Sequence, residues 1–285
     1  RAMDAMNMAF KYSMRYGHPD GNIQGKIAAH HGVPPDHVML GAGSGEILET
    51  IGLTYLGDQK KVVGVEPSYA AVYQHASGIK ADAILLPLNE DYSQNIPAMI
   101  RATNQNYRDV GFVYMCNPNN PTGAVADIDY FREVVEFART YDIAVMHDAC
   151  YTDVVYDGYT HPSFLETPGA MDVALEFHSL SKTYNMTGWR IGMAVGNARM
   201  INALMRVKSN LDSGIPQAIQ RMGIAALTGT SQEWTDANNE VYRRRRDRML
   251  DVLRRMGLTV AASGELGVYR QHPTLFLVND LTGAT

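Results

Sequence analysis

Short apolar runs alternate with amphipathic segments along this chain, and that alternation limits the folds it can adopt. The runs lie at residues 62–65, 83–86, 112–116, 143–146, 174–177 and 191–195. Strands separated by helices form a mostly parallel sheet that helices cover on both faces. We therefore predict an α/β fold whose ligands bind at the carboxyl ends of the strands.

Length and composition allow a large core and a second, smaller one. The chain has 285 residues, of which 46% are hydrophobic, and chains of this size often divide into two domains. We predict an N-terminal segment over residues 1–31, a large ligand-binding domain over 32–239 and an incomplete, smaller α+β domain over 240–285. The boundary lies in a long helix predicted over about residues 234–256. Residues 258–261 and 274–278 are the predicted strands of the smaller sheet.

Lys182 lies in the segment SLSKTY (179–184), which follows the apolar run 173–177 and precedes GWR (188–190). An amine beside two hydroxyls and ahead of an arginine suits Schiff-base chemistry. A surface lysine that follows a buried strand is the alternative, and this segment alone does not decide between them.

The turn GAGSGE (41–46) joins a strand pattern at 38–40 to a helical pattern. Glycines let the backbone approach an anion, and the helix that begins after them directs free N–H groups at it. The turn is a candidate phosphate site, although it matches neither the dinucleotide fingerprint nor the P-loop.

Two further loops follow buried strand patterns. In NPNNPTG (117–123), prolines fix the backbone and hold Asn120 extended, so that a rigid polar side chain stands at the end of a strand. In HDACY (147–151), Asp148 closes an apolar run, which is costly unless a cation such as a protonated pyridine meets it. Tyr151 can reach the same ligand. A tight turn and a capping aspartate are the respective alternatives.

Together these four segments resemble the fold-type I, class I and II aminotransferases, and the resemblance covers nearly the whole chain. It implies pyridoxal 5′-phosphate as the cofactor, with Lys182 as its covalent attachment point and proton carrier. The resemblance pairs Asp148 with the pyridine nitrogen. It also implies hydrogen bonds from Asn120 and Tyr151 to the ring oxygen, and stacking of Tyr69 on the ring. Lys182, Asp148 and Tyr151 are thus the expected catalytic residues.

The same resemblance implies where the cofactor phosphate binds. The expected ligands are Ala42, Gly43, Ser44, Ser179 and Arg190. Tyr16 matches a tyrosine that one subunit lends to the phosphate of its neighbour, so a homodimer with shared sites is expected.

Other classes of protein fit the composition poorly. A net charge of −5 argues against a nucleic-acid partner. The four arginines at 243–246 lie in the long predicted helix, where consecutive positions spread around the axis, and indicate a solvated face. Cys116 and Cys150 are too few for a disulfide scaffold, which predicts reduced thiols and a cytoplasmic protein. We expect no metal site, membrane span or signal peptide.

The two ends of the chain suggest a partial protein. Arg1 falls inside what resembles the helix ahead of Tyr16, and Thr285 precedes the position of the family's arginine for the substrate α-carboxylate. We therefore expect the cofactor residues to be present and part of the substrate site to be missing.

The segments disagree about the amino donor. Residues 15–20 and 32–46 resemble histidinol-phosphate aminotransferases, whereas the segment 176–214 around Lys182 resembles LL-diaminopimelate and aspartate-type aminotransferases. We favour histidinol phosphate as donor and 2-oxoglutarate as acceptor. A lyase of the same fold, such as a carbon–sulfur lyase, would need identical cofactor residues. A non-catalytic aminotransferase-like module is a third reading, which the absence of a preceding helix-turn-helix pattern and the full set of cofactor residues disfavour.

Overall fold

The computed structural model describes residues 1–15, 17 and 22–256. Over these residues the chain forms a seven-stranded sheet. The strands are β1 (Val38–Gly41), β2 (Lys61–Glu66), β3 (Ala83–Pro87), β4 (Val110–Cys116), β5 (Ala144–Asp148), β6 (Ala174–Ser179) and β7 (Gly192–Gly196). The six predicted strands and the strand pattern at 38–40 are all confirmed.

The strand order is β1-β7-β6-β5-β4-β2-β3. Neighbours from β6 across to β3 pair in parallel, whereas β7 is antiparallel to both β6 and β1. The predicted mostly parallel α/β sheet is therefore confirmed. Because β7 is reversed, it begins at the edge where β6 and β1 end, and Gly192 lies opposite both Ser179 and Gly41.

Helices cover both faces of this sheet, as the alternation of patterns predicts. They are α1 (Ala2–Ala9), α2 (Ile23–His31), α3 (Ser44–Tyr55), α4 (Ala71–Gly78), α5 (Ile96–Gln105), α6 (Ile128–Tyr141), α7 (Ala170–Val173), α8 (Leu180–Thr183), α9 (Ala198–Leu211), α10 (Gln217–Gly229) and α11 (Gln232–Arg255). In the part of the chain described, no helix has the length and apolar character needed to cross a bilayer.

Period-two alternation divides the core between the two faces. On β4, Phe112, Tyr114 and Cys116 pack on the face that α3, α4 and α9 cover. Val113 and Met115 point to the opposite face, beneath α5, α6 and α7. A third cluster packs α1, α2 and α10 against β1 and β7. Because Asp148 follows Met146 by two residues, its side chain lies on the face of Tyr114.

The long C-terminal helix is confirmed, with α11 unbroken from Gln232 to Arg255. The predicted domain boundary at residue 239 falls inside this helix, where Asn239 Nδ2 donates to the Asp153 carbonyl oxygen at 2.9 Å. The strands predicted at 258–261 and 274–278 lie outside the described residues. The division into domains at 31 and 239 stays a prediction.

The solvated face predicted for the arginine run is wrong for one of its members. Arg246 is 5% exposed, its guanidinium pairs with Asp157 at 2.5 Å, and it lies 4.6 Å from the centroid of the Tyr156 ring. Four consecutive helical positions span every direction around the axis, so one of them faces the protein.

On the face opposite Asp148, Glu176 is fully buried between two histidines. Its Oε2 accepts hydrogen bonds from His147 Nδ1 at 3.0 Å and the Phe164 N–H at 2.8 Å. Its Oε1 accepts from His178 Nε2 and Ser163 Oγ, each at 2.8 Å. Burial alone raises the pKa of Glu176, but the two histidines outweigh it and hold that pKa well below its usual range. Burial lowers the pKa of His178, yet Glu176 outweighs that effect and the net shift is upward.

We expect Glu176→Gln to lower the free energy of unfolding by about 3 kcal/mol near pH 6. The substitution removes the buried carboxylate charge to which the His147 and His178 rings both bond. The lowered pKa of Glu176 makes its contribution present above the ordinary value of 4.5 and lost as the pH falls through the folded value. The raised pKa of His178 makes its contribution complete below 6.5 and lost as the pH rises through its folded value. Denaturant unfolding at several pH values measures both limits.

Glu136→Gln is the matched control, since Glu136 is exposed on α6 and its replacement should cost less than about 0.5 kcal/mol. Equal losses in the two variants, or a loss from Glu176→Gln that does not vary with pH, would contradict a stabilising buried charge.

Candidate active site

The predicted site residues lie at one edge of the sheet, where β1, β5 and β6 end and β7 begins. Asp148 is the last residue of β5, and Ser179 is the last residue of β6. The glycine turn follows β1, and Arg190 lies two residues before the first residue of β7. The antiparallel direction of β7 is what brings Arg190 to this edge.

Lys182 lies on α8, a single helical turn directly after β6. Ser179 caps this turn, because its hydroxyl accepts a hydrogen bond from the Ser181 N–H at 3.2 Å. The Lys182 Nζ lies 5.4 Å from the centroid of the Tyr151 ring. A short, capped helix thus holds the amine beside the loop that follows β5.

Asp148 is 3% exposed, and both of its carboxylate oxygens accept a hydrogen bond. The Cys150 N–H donates to Oδ1 at 3.3 Å, and the Tyr114 hydroxyl donates to Oδ2 at 3.0 Å. Burial raises the pKa of Asp148, and these hydrogen bonds act in the opposite direction. Both donors are neutral, so they leave the negative charge of the carboxylate uncompensated. Each oxygen also keeps a lone pair that a cationic partner can use.

Asn120, Tyr151 and Tyr69 lie on three loops that are tied together. Asn120 Nδ2 donates to the Tyr151 hydroxyl oxygen at 3.4 Å, and Tyr151 is 9% exposed. Ser68, beside Tyr69, donates from its hydroxyl to Asn119 Oδ1 at 2.9 Å. Burial raises the pKa of both Tyr69 and Tyr151, so both phenols are neutral donors at neutral pH.

The glycine turn closely approaches Arg190. Gly43 has φ +85°, and a Cβ built on it would lie 2.3 Å from Arg190 Nη2, so the guanidinium fills the space that a side chain would need. Gly43 precedes α3 without a capping side chain, which leaves the first N–H groups of that helix available. The Arg190 guanidinium and the free N–H groups lie together at the start of α3, and both favour the binding of an anion there.

The Glu46 carboxylate accepts a hydrogen bond from one of the backbone N–H groups of this turn. The Ala42 N–H donates to Glu46 Oε2, so the amide of Ala42 is already bonded within the chain. Lys208 of α9 is buried and pairs with Glu46 and, at 2.7 Å, with Asp212. Glu46 and Lys208 thus stabilise the turn, and their charges pair with each other instead of with a ligand.

The structure brings together every predicted site residue that it describes. These are Ala42, Gly43, Ser44, Tyr69, Asn120, Asp148, Tyr151, Ser179, Lys182 and Arg190. Tyr16 lies outside the described residues, so its role stays a prediction.

Sequence reasoning missed Tyr114, Glu46 and Lys208 as members of the site. The only sequence signal for Tyr114 is the period-two alternation of β4, which places it on the face of Asp148. Lys208 carries a weak signal, since it precedes Asp212 by one helical turn.

These residues fit pyridoxal phosphate. A buried carboxylate with only neutral donors suits the cationic nitrogen of a pyridinium, and the cradle at Gly43 and Arg190 suits a phosphate. Lys182 would attach the cofactor, Asn120 and Tyr151 would hydrogen-bond its ring oxygen, and Tyr69 would stack on the ring. When bound, the cofactor supplies the electron sink for the charge left by removal of an α-proton.

Comparison with known proteins agrees with this fit. The family model for aminotransferases of class I and II matches residues 1–283. An LL-diaminopimelate aminotransferase from Dehalococcoides mccartyi is 54% identical over 197 residues, which are 69% of this chain and 49% of the relative. One from Moorella thermoacetica is 58% identical over 140 residues, 49% of this chain and 36% of that relative. The chain thus spans about half or less of the length of these relatives.

Solved structures share the fold. A probable N-succinyldiaminopimelate aminotransferase from Thermus thermophilus superposes with a TM-score of 0.81 at 30% identity, over 89% of this chain and 70% of that one. The N-succinyldiaminopimelate aminotransferase of Mycobacterium tuberculosis superposes with a TM-score of 0.83 at 25% identity. The match covers 92% of this chain and 71% of the other.

We expect Gly43→Ala to weaken pyridoxal phosphate binding by at least about tenfold, because the new methyl group would displace the Arg190 guanidinium and strain a positive φ. Gly45→Ala is the matched control, since its Cβ would meet Arg190 at an ordinary 3.9 Å. Absorbance titration of the cofactor-free chain measures both affinities. Similar affinities for Gly43→Ala and the parent chain would place the phosphate elsewhere.

Proposed function

Because the chain belongs to the class I and II aminotransferase family, we propose that it binds pyridoxal phosphate at Lys182 and moves an amino group from an amino acid to a 2-oxo acid. One observation carries this proposal. The Lys182 amine faces the ring of Tyr151, which follows the buried Asp148 by three residues, and Gly43 and Arg190 form the anion cradle. Nucleophile, buried anion and phosphate cradle share one edge of the sheet.

The residues divide the work between positioning and proton transfer. Asp148 would accept a hydrogen bond from the ring nitrogen and favour its protonated state. Lys182 Nζ would take the α-proton of the donor and later return it. Asn120 and Tyr151 would orient the ring, and Arg190 would balance the phosphate charge.

We propose LL-diaminopimelate as the amino donor, with 2-oxoglutarate as the acceptor that becomes glutamate. The relatives reported above support this choice, because both are named LL-diaminopimelate aminotransferases and are at least 54% identical over the matched residues. Neither is named for histidinol phosphate, the donor that the residues around the glycine turn favour. The names of these relatives therefore support the donor predicted from the segment around Lys182 and not histidinol phosphate.

We expect the protein to use LL-diaminopimelate with a kcat/KM at least about tenfold above that for histidinol phosphate. Glutamate formed from 2-oxoglutarate is the measurement. Lys182→Ala should abolish both turnover and borohydride-stable attachment of the cofactor, whereas Lys80→Ala, at an exposed position, should change neither. A stable adduct in Lys182→Ala would refute the assignment of the lysine.

Two other functions are outcomes of the same assay. Turnover of an amino acid without 2-oxoglutarate would identify a lyase. Cofactor attachment without turnover of any amino donor would identify a non-catalytic module.

We further propose a homodimer in which Tyr16 serves the phosphate of the neighbouring subunit. The family resemblance carries this assignment, together with the two-fold symmetry of most soluble homo-oligomers. Arg190 and the first N–H groups of α3 form the part of the cradle that a single chain supplies.

Mixing Lys182→Ala chains with Tyr16→Phe chains should restore roughly a quarter of the parent activity. At equal amounts about half of the dimers are mixed, and each mixed dimer has one complete site. The measurement is transaminase activity after subunit exchange, with each variant alone as its control. Exchange that is verified by a tagged chain but restores no activity would place Tyr16 in the site of its own subunit.

A further inference from the structure

Tyr114 donates a hydrogen bond to the carboxylate that the proposed chemistry depends on, yet no part of that chemistry accounts for it. Its ring is fully buried, with 0% exposure. Its hydroxyl donates to Asp148 Oδ2 at 3.0 Å. A buried tyrosine needs an acceptor, but a carboxylate is a stronger acceptor than the carbonyl that usually fills this role.

The register of β4 and β5 explains why the contact needs a tyrosine. Tyr114 lies directly opposite Met146, and Cys116 lies opposite Asp148. Tyr114 and Asp148 are therefore diagonal neighbours on one face of the sheet, a separation that a long aromatic side chain can bridge. A phenylalanine at this position would fill the same space and leave Oδ2 without its donor.

Tyr73 holds the Tyr114 ring in place from α4. The two rings pack edge to face, with centroids 5.8 Å apart and planes at 87°. The Tyr73 hydroxyl donates to the Val65 carbonyl oxygen at 3.0 Å, which fixes the second ring to β2. The hydroxyl of Tyr114 thus has little freedom to turn away from Asp148.

We propose that Tyr114 is a positioning residue for the aminotransferase reaction, which holds one oxygen of Asp148 so that the carboxylate meets a cationic ring nitrogen in a single orientation. The Cys150 N–H holds the other oxygen at 3.3 Å. With one bond on each oxygen, the rotation of the carboxylate is fixed and its remaining lone pairs stay available. This role rests on the proposed function of the site.

Several titratable groups surround Asp148, and each can influence its charge. They are Tyr114 and Cys116 on β4, His147 on β5, Cys150 and Tyr151 after β5, Tyr69 before α4, and His178 on β6. The Tyr114 hydroxyl and the Cys150 backbone N–H donate hydrogen bonds to its oxygens, and the Cys150 thiol also favours the ionised carboxylate. Removing the Tyr114 hydroxyl should therefore raise the pKa of Asp148, since a neutral donor stabilises the ionised carboxylate.

The test is a titration of Asp148 in the full, cofactor-free chain by NMR of ¹³C-carboxyl aspartate, with the signal assigned by its loss in Asp148→Asn. We expect Tyr114→Phe to raise the pKa of Asp148 by about one to two units, the range for a hydrogen bond to a charged group. Tyr73→Phe is the matched control, because it removes a buried hydroxyl from the adjoining ring without touching Asp148. We expect that control to leave the titration unchanged, because the ring that packs edge to face on Tyr114 is kept and only the bond to the Val65 carbonyl oxygen is lost.

A second measurement needs no variant of Tyr114. In the unmutated chain the ¹³Cζ signal of Tyr114 should shift with the titration of Asp148, whereas that of Tyr73 should not. An unmoved Tyr114 signal, or equal pKa shifts in Tyr114→Phe and Tyr73→Phe, would show that the hydroxyl only fills the core.

In the loaded enzyme, Tyr114→Phe should lower kcat about tenfold and leave the KM for 2-oxoglutarate unchanged, because Tyr114 acts through Asp148 and touches no substrate. A raised KM with an unchanged kcat would overturn the positioning role. Both NMR measurements use protein without cofactor or turnover. A failed transaminase assay would therefore count against the proposed function and leave the Tyr114–Asp148 result intact.

Discussion

The burial of the Asp148 carboxylate is the constraint on which the rest of the site depends. A charge that is 3% exposed is unfavourable in a protein core unless donors or a cation compensate it. Tyr114 and the Cys150 N–H supply two neutral hydrogen bonds, and the remaining lone pairs of the carboxylate can accept from a cationic partner. The same burial that destabilises an unpartnered acid would favour the binding of a pyridinium ring, as the proposed function requires.

Strand direction decides which groups share the site with Asp148. In a sheet of parallel strands only carboxyl ends meet at the ligand edge. The reversed β7 adds a strand start to that edge, so Arg190 meets the glycine turn after β1. One antiparallel strand thus brings the proposed phosphate cradle to the edge of the sheet that carries Lys182 after β6.

Polar side chains lie on both faces of the sheet at β5 and β6. On one face, Asp148 at the end of β5 and Lys182 just after β6 can still bond to a ligand. On the other face, Glu176 uses both of its oxygens on His147, His178, Ser163 and the Phe164 N–H. These four hydrogen bonds tie the Glu176 carboxylate to β5, β6 and the segment before α7, and so stiffen the strands that carry the reactive residues.

The sequence by itself determined the local parts of this protein. Each strand with its following loop is a short continuous segment, so the glycine turn, the Asn120 loop, Asp148 and Lys182 could be predicted from residue order and from family resemblance. The tertiary structure alone decided the direction of β7, the burial of Arg246, the pairing of Lys208 with Glu46 across 162 positions, and the hydrogen bond from Tyr114 to Asp148. Hydrophobic periodicity encodes which face a residue takes but not which distant residue meets it there, because that meeting depends on the order and register of the strands.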